Sequence, residues 1–150
     1  MKLVIQRVNR AAVYVGAECY ARIRSGALVL FAAAQNDTPH DALYLARKTS
    51  QLRIFDDEEG RLNLPIDPEE GAFLVVSQFT LYGDCTKGNR PSFIRAADPE
   101  EGRALYDEYV RALQSLGHEV HTGRFQEHMR VELENDGPVT LILESCGRTS

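Results

Sequence analysis

Apolar side chains recur at alternate positions from Leu3 to Val8, the pattern of a strand with one face buried. Val13 and Val15, then Cys19, Ala21 and Ile23, alternate on either side of Gly16-Ala17 and predict a hairpin. From Gly26 to Ala34 the run is continuously apolar, as expected of a strand buried on both faces. Thr38-Pro39 then opens a helix, with a capping hydroxyl followed by proline at the first helical position. Ala42, Leu45, Ala46, Thr49 and Leu52 repeat at helical spacing behind it. Asp56 to Gly60 and Asp67 to Gly71 are turns around a short strand over 61–66, and Ala72 to Ser77 is a second apolar strand.

Residues 83–97 have no period and read as an ordered loop. Asp98, with Glu101 three residues on, predicts a capped helix whose buried stripe is Leu105, Tyr109, Leu113 and Leu116, with Gly117 as its stop. Two alternating segments, 129–134 and 139–144, flank Asn135-Asp136-Gly137-Pro138, which reads as a hairpin connection. The tally is about seven strands and two helices. Two helices have a large sheet to cover, so the expected architecture is α/β: one compact domain over residues 1–150, with two β-sheet layers, barrel-like, and one helical layer.

Composition changes this picture little. Apolar content of 43% and charged content of 26% are ordinary for a globular chain of 150 residues. No apolar run is long enough to span a bilayer, and the first residues reach a charge too early for a signal peptide. No membrane partner and a cytoplasmic location are therefore expected. Cys19, Cys85 and Cys146 are odd in number and widely spaced, which predicts neither a disulfide framework nor a zinc site. His118 and His121 are expected at the surface near a helix end, with no metal. No cofactor motif occurs: there is no Walker loop, dinucleotide fingerprint or zinc-protease helix. The net charge of −5 argues against a general nucleic-acid binder, but an enzyme that grips only one RNA end needs just a few local cations.

Three segments carry candidate chemistry. Ser77-Gln78-Phe79-Thr80 follows a buried strand and offers two hydroxyls, an amide and backbone N–H groups, the parts needed for acyl transfer. No base stands beside it in the sequence, and a hydroxyl without one is a weak nucleophile; taken alone, the segment reads more readily as a strand end with satisfied hydroxyls than as an active site. Lys87-Gly88-Asn89-Arg90-Pro91-Ser92-Phe93 could hold phosphates and stack on a base, or could be a solvated loop with Phe93 tucked inward. The third segment is the Asn135–Pro138 turn.

Taken together and in order, these segments resemble the hallmark stretches of D-aminoacyl-tRNA deacylases. The opening Val4-Ile5-Gln6-Arg7-Val8, Leu52-Arg53-Ile54-Phe55, Thr122-Gly123 with Phe125, and the full stretch Asn135 to Thr140 resemble them too. Departures occur at Arg22 and Arg24, at Gly83–Cys85, and at Gln126-Glu127, where Gly-Ala is usual.

The resemblance implies a homodimer with active sites at the subunit interface and the 3′ end of aminoacyl-tRNA as the partner molecule. It implies hydrolysis of D-aminoacyl-tRNA, and of glycine mischarged on the alanine tRNA, with rejection of L-aminoacyl-tRNA. Gly137-Pro138 would be a cis pair inserted into the other subunit's pocket, its carbonyls holding the substrate's α-amino group. Substrate contacts are expected from Asn135, Gly137, Pro138, Val139, Thr140, Phe125 and Met129, and tRNA contacts from Lys87, Arg90 and Phe93. Catalytic roles fall to Ser77, Gln78, Phe79 and Thr80, by one of two routes. Either Thr80 attacks the ester, or the terminal ribose 2′-hydroxyl assists a water while the protein positions and polarises; the second is preferred, because no base for Thr80 is evident. The competing readings are a general ester or peptide hydrolase using Thr80, an RNA-binding module built on the 87–93 loop, and a structural dimer.

Overall fold

The computed structural model describes residues 1–145. In chain order the elements are β1 (Lys2–Val15), β2 (Glu18–Ile23), β3 (Gly26–Ala32), α1 (Pro39–Gln51), β4 (Phe55–Asp56), β5 (Leu62–Leu64), β6 (Ala72–Ser77), a 3₁₀ turn (Phe79–Tyr82), α2 (Pro99–Ser115), β7 (Glu119–Thr122) and β8 (Arg130–Glu144).

Six strands form one mixed sheet in the order β2-β1-β3-β6-β7, with β8 on the other edge of β1; β4 and β5 pair as a separate ribbon. The alternating segment at 3–8 and the first arm of the expected hairpin are one strand. Its first half pairs with β3, its second half with β2, and β8 runs antiparallel along the opposite edge from Lys2 to Tyr14. The two expected layers are therefore parts of a single coiled, nearly barrel-shaped sheet.

The parallel core pairs β3 with β6 and β6 with β7, and these joins need the crossovers that α1 and α2 supply. Both strands of the central pair are buried on both faces, as their unbroken apolar runs require. Ala27, Val29, Phe31, Phe73 and Val75 meet Leu45 of α1 and Tyr109 and Leu113 of α2. Leu28, Leu74 and Val76 point the other way, onto Val8, Val13 and Ile23 inside the coil of the sheet. At its first residue β3 comes so close to β6 that a Cβ on Gly26 (φ +151°) would lie 1.9 Å from the Ala72 carbonyl oxygen, so only glycine fits.

The helix starts fall where the sequence places them. The Asp41 carboxylate accepts from the Thr38 N–H and hydroxyl, and the Asp98 carboxylate accepts from the Glu101 N–H at 2.9 Å. Gly117 (φ +94°) ends α2. Leu116, expected in the buried stripe, is exposed instead, because the helix has already begun to unwind at the cap. No helix among the described residues is long and apolar enough to cross a membrane. Cys19 and Cys85 are free thiols, and Cys146 lies outside the described residues.

Two expectations fail here. The chain does not fold back at Asn135–Pro138: both flanking segments belong to β8 and pair with β1, so the turn is a large bulge and no hairpin forms. His118 is not a surface residue either. It is buried against Phe73, its Nε2 lies 2.6 Å from the Ser50 hydroxyl, and it leads directly into β7, a four-residue strand too short to show an alternating pattern. His121 sits within β7 beside Glu119.

Burial pushes the His118 imidazole below its ordinary value near 6.5. The unfolded chain then binds the proton more readily than the folded one, so this contribution to stability is complete above about pH 6.5 and is lost as pH falls below it. His118→Leu should flatten the stability curve between about pH 7 and 5, read from urea midpoints. An unchanged slope would place the acid sensitivity elsewhere.

Candidate functional site

Phe31 to Ala33 and Val76 to Phe79 come from the carboxyl ends of the parallel pair β3 and β6. In an α/β sheet this is where a crevice opens. Here it is a cleft of about 630 Å³, closed on its other sides by Ala96 to Pro99 and Gly102 at the start of α2 and by Phe125 to Met129 after β7. Backbone bonds hold these walls in place. Gln78 N–H donates to the Phe31 carbonyl (2.7 Å), Ala97 N–H to Ala33 (2.9 Å) and Gly123 N–H to Val75 (2.9 Å). The Tyr106 hydroxyl donates to the same Val75 carbonyl at 2.7 Å; burial holds that phenol well above its usual range, so it remains a neutral donor.

Beyond Ser77 the chain leaves the sheet and winds into the short 3₁₀ turn. The first N–H groups of such a turn have no partner within it; here they belong to Phe79 and Thr80. Ser77, Gln78 and Phe79 line the cleft, whereas Thr80 is exposed and is not among the lining residues. Among the described residues the Thr80 hydroxyl pairs with the Gln78 amide and with no imidazole or carboxylate.

Phe79 is 58% exposed and meets Phe93 edge to face with centroids 5.2 Å apart, so two rings stand at the cleft mouth. Met129 reaches the opposite wall because residue 123 is glycine: a Cβ there would lie 2.8 Å from the Met129 sulfur. Between Phe125 and Met129, Gln126 adopts φ +62°, a left-handed conformation that costs a non-glycine residue about 1 kcal/mol or more. It turns the polar run Gln126, Glu127 and His128 along the rim. The charged residues of the lining are the carboxylates Asp98 and Glu127; it contains no lysine or arginine.

The corner at 136–139 is built from β1. Gln6 pairs with Thr140 and Val8 with Asn135, so Arg7 alone faces the four residues 136–139. Arg7 is buried. Its Nε donates to the Asp136 carbonyl (3.2 Å) and side chain (3.1 Å), and its Nη1 to the Ile54 carbonyl (3.0 Å) and to Asp56 (3.1 Å). Asn135 closes the corner from within: its amide donates to the Thr140 hydroxyl at 3.0 Å and its oxygen accepts from the Val139 N–H at 3.3 Å. The Gly137–Pro138 peptide is cis. Val139 packs on the core, while Gly137, Pro138 and Thr140 are exposed and line no part of this cleft.

Of the residues singled out in the sequence, Ser77, Gln78, Phe79, Phe93, Phe125 and Met129 come together around this cleft. The corner 135–140 stands apart from it, and Lys87 and Arg90 are exposed and line no cavity described here. Sequence reasoning missed Gly102, Asp98 and His128 as lining residues, whereas Gln126 and Glu127, marked as departures beside Phe125, do lie on the rim. Gly102 carries a signal: a glycine in the first turn of a helix, where a Cβ would meet only Phe125 at 3.8 Å, leaves room for something other than protein. Arg7 was legible as part of a strand and of a family-like opening segment, but not as the clamp of the corner.

A cleft at the ends of parallel strands, apolar within and edged by amide, hydroxyl and N–H groups, marks an α/β protein built to hold one end of a ligand. More specifically, the chain belongs to the D-Tyr-tRNA(Tyr) deacylase family, whose model matches residues 4–144. It is 54% identical over 145 residues to a D-aminoacyl-tRNA deacylase of Desulforudis audaxviator, and 50% identical to one of Thermotoga petrophila, in each case covering 97% of both chains. Among solved structures it resembles the c-Myc DNA unwinding element binding protein (TM-score 0.90, 37% identity, 97% of this chain and 99% of that one). A probable eukaryotic D-amino acid tRNA deacylase shares the fold at TM-score 0.74, 20% identity, and 95% and 97% coverage.

Replacing Arg7 by Met should loosen the corner while keeping the strand. Because Asp56 and Asp136 are half exposed and remain solvated, the cost should be about 1–3 kcal/mol, below that of breaking a fully buried pair. Amide exchange at Asp136, Gly137 and Val139 should rise well above that at β3. Equal protection in variant and parent would show that Arg7 does not hold the corner.

Proposed function

We propose that this chain hydrolyses the ester between a D-amino acid, or glycine, and the 3′ end of tRNA, working as a homodimer. What carries the reading is that relatives about half identical along almost the whole chain bear the deacylase name, and that the cleft fits the chemistry. Apolar walls suit an adenosine. The carboxylates Asp98 and Glu127 favour an ammonium-bearing substrate over a free phosphate.

In this mechanism the protein contributes positioning and polarisation. The N–H of Phe79, with the Ser77 hydroxyl and the Gln78 amide, donates to the oxygen that becomes negative as the ester carbonyl is attacked. A water adds to the carbonyl carbon, the bond from that carbon to the ribose 3′-oxygen breaks, and the water's proton passes through the 2′-hydroxyl to the departing oxygen. Thr80 is not the nucleophile here: its hydroxyl is engaged by Gln78 and has no base. Removing a true nucleophile costs about 10⁶ in rate. Thr80→Ala should instead keep single-turnover cleavage within about tenfold of the parent; complete loss, with rescue by Thr80→Ser, would overturn this route.

Chirality is read by main chain. The carbonyls of Gly137 and Pro138, donated by a second copy, hold the α-amino group; a D side chain then points to solvent and an L side chain strikes the backbone. Glycine has nothing to collide and is accepted. The clamped, exposed corner outside its own cleft supports this arrangement. D-tyrosyl-tRNA should be cleaved at least about 100-fold faster than L-tyrosyl-tRNA, a discrimination near 2.7 kcal/mol. Comparable rates on the two would sink the proposal.

The dimer rests on β8. It is an edge strand with Leu133, Leu141 and Ile142 exposed beside the corner, a surface a monomer rarely leaves uncovered. Ile142→Asp should shift sedimentation toward the monomer and abolish deacylation together; an active monomer would rule out the shared site.

A further inference from the structure

A second cleft adjoins the first. It measures about 640 Å³ and shares two walls with it, Phe125 and Glu127. Its character is opposite. Three arginines line it: Arg103 and Arg111 from α2, two turns apart on one face of the helix, and Arg124 from the segment after β7. Tyr20, Gln114 and Thr122 add further polar groups. Three of the seventeen cationic side chains of a chain with net charge −5 thus meet in one groove, beside a cleft that has none in its lining.

The guanidinium groups are held but not consumed. Arg103 lies over the Phe125 ring, 5.7 Å from its centroid, which fixes it at the wall between the two clefts. Its pair with Asp107 is long, at 3.8 Å, and that of Arg124 with Glu127 is 3.6 Å. Arg111 is held more closely by Glu108, at 2.8 Å. All three side chains are more than half exposed, and exposed pairs of this kind hold weakly, so an incoming oxyanion can replace the carboxylates at small cost. Guanidinium is also the group whose planar fork matches a phosphate.

We infer that this arginine groove receives the phosphodiester backbone of the RNA strand whose 3′ end occupies the first cleft, so that the strand leaves the cleft across Phe125 and runs along α2. The inference rests on the substrate proposed above. It assigns the phosphate contacts to Arg103, Arg111 and Arg124, ahead of Lys87 and Arg90, which line neither cleft. The interleaved Asp107, Glu108 and Glu127 keep the surface close to neutral, so nucleic acid that does not also fill the first cleft is held poorly.

The test compares two substrates that differ in phosphate. D-tyrosyl-tRNA carries the backbone; D-tyrosyl-adenosine, esterified at its 3′ position, carries none. In the Arg103→Gln/Arg111→Gln/Arg124→Gln variant, the ratio of kcat/KM for the tRNA to kcat/KM for the adenosine ester should fall at least about tenfold, mostly through KM. The plot of log kcat/KM for tRNA against log salt should flatten by about two units, since each single-strand phosphate contact contributes roughly 0.7. Arg103→Lys should recover part of both. Lys87→Gln/Arg90→Gln should leave the ratio within about twofold of the parent. Inorganic phosphate should inhibit the parent on tRNA more than on the adenosine ester. A triple variant whose ratio and salt slope match the parent overturns the inference, as does an equal loss on both substrates, which would mean that the arginines serve the first cleft. If the parent enzyme cleaves neither substrate, the reading of the first cleft falls, and this one with it; cleavage of the adenosine ester with an unaltered ratio in the variant removes only the groove.

Discussion

One buried guanidinium sets the geometry on which the functional reading depends. Arg7 sits where β1 has one residue to offer and β8 has four, and the mismatch must be taken up somewhere. Without a donor at this point the buried Ile54 carbonyl would be left without this partner, and nothing would tie the Asp136 carbonyl to the sheet edge. Arg7 supplies that donor and, through the Ile54 carbonyl and Asp56, ties the corner to the β4–β5 ribbon. A strand slip thereby becomes a fixed projection of main chain. A projecting backbone cannot change rotamer, and that stiffness is what the chiral discrimination proposed above would require.

The rest of the molecule supplies the complement of that projection. The parallel pair β3–β6 is buried on both faces; the cleft opens at its carboxyl ends, where the chain must leave the sheet anyway. Charge then divides the surface by task. The carboxylates Asp98 and Glu127 edge the first cleft, and Arg103, Arg111 and Arg124 stand with Asp107 and Glu127 in the neighbouring groove. On the function proposed above, an acidic protein would hold its RNA substrate through a few placed cations.

Much of this was legible in the sequence. The unbroken apolar runs at 26–34 and 72–77 announced the doubly buried pair, and Thr38-Pro39 and Asp98 announced both helices, because caps and burial are local physics. The Ser77–Phe79 segment and Phe93, Phe125 and Met129 were found as motifs, and the fold brings them together. What stayed hidden was non-local. Asn-Asp-Gly-Pro between two alternating segments has the composition of a hairpin turn; only the partner strand decides that both segments run along β1. His118 looked like a surface residue because nothing local foretells the Phe73 ring and the Ser50 hydroxyl that meet it. The groove arginines carry no local signal in the sequence, because Arg124 meets Arg103 and Arg111 only through the fold.

The interruption in β8 has one more effect. A long unpaired edge with exposed leucine and isoleucine is an open template onto which further chains could add without limit. The corner divides that edge into two stretches of about five or six residues and sets the projecting residues 136–139 between them as an obstacle. A partner shaped to receive the obstacle can dock; a flat strand from an unfolded neighbour cannot run past it. The same projection that would enter a second subunit thus guards the protein against fibrillar self-association.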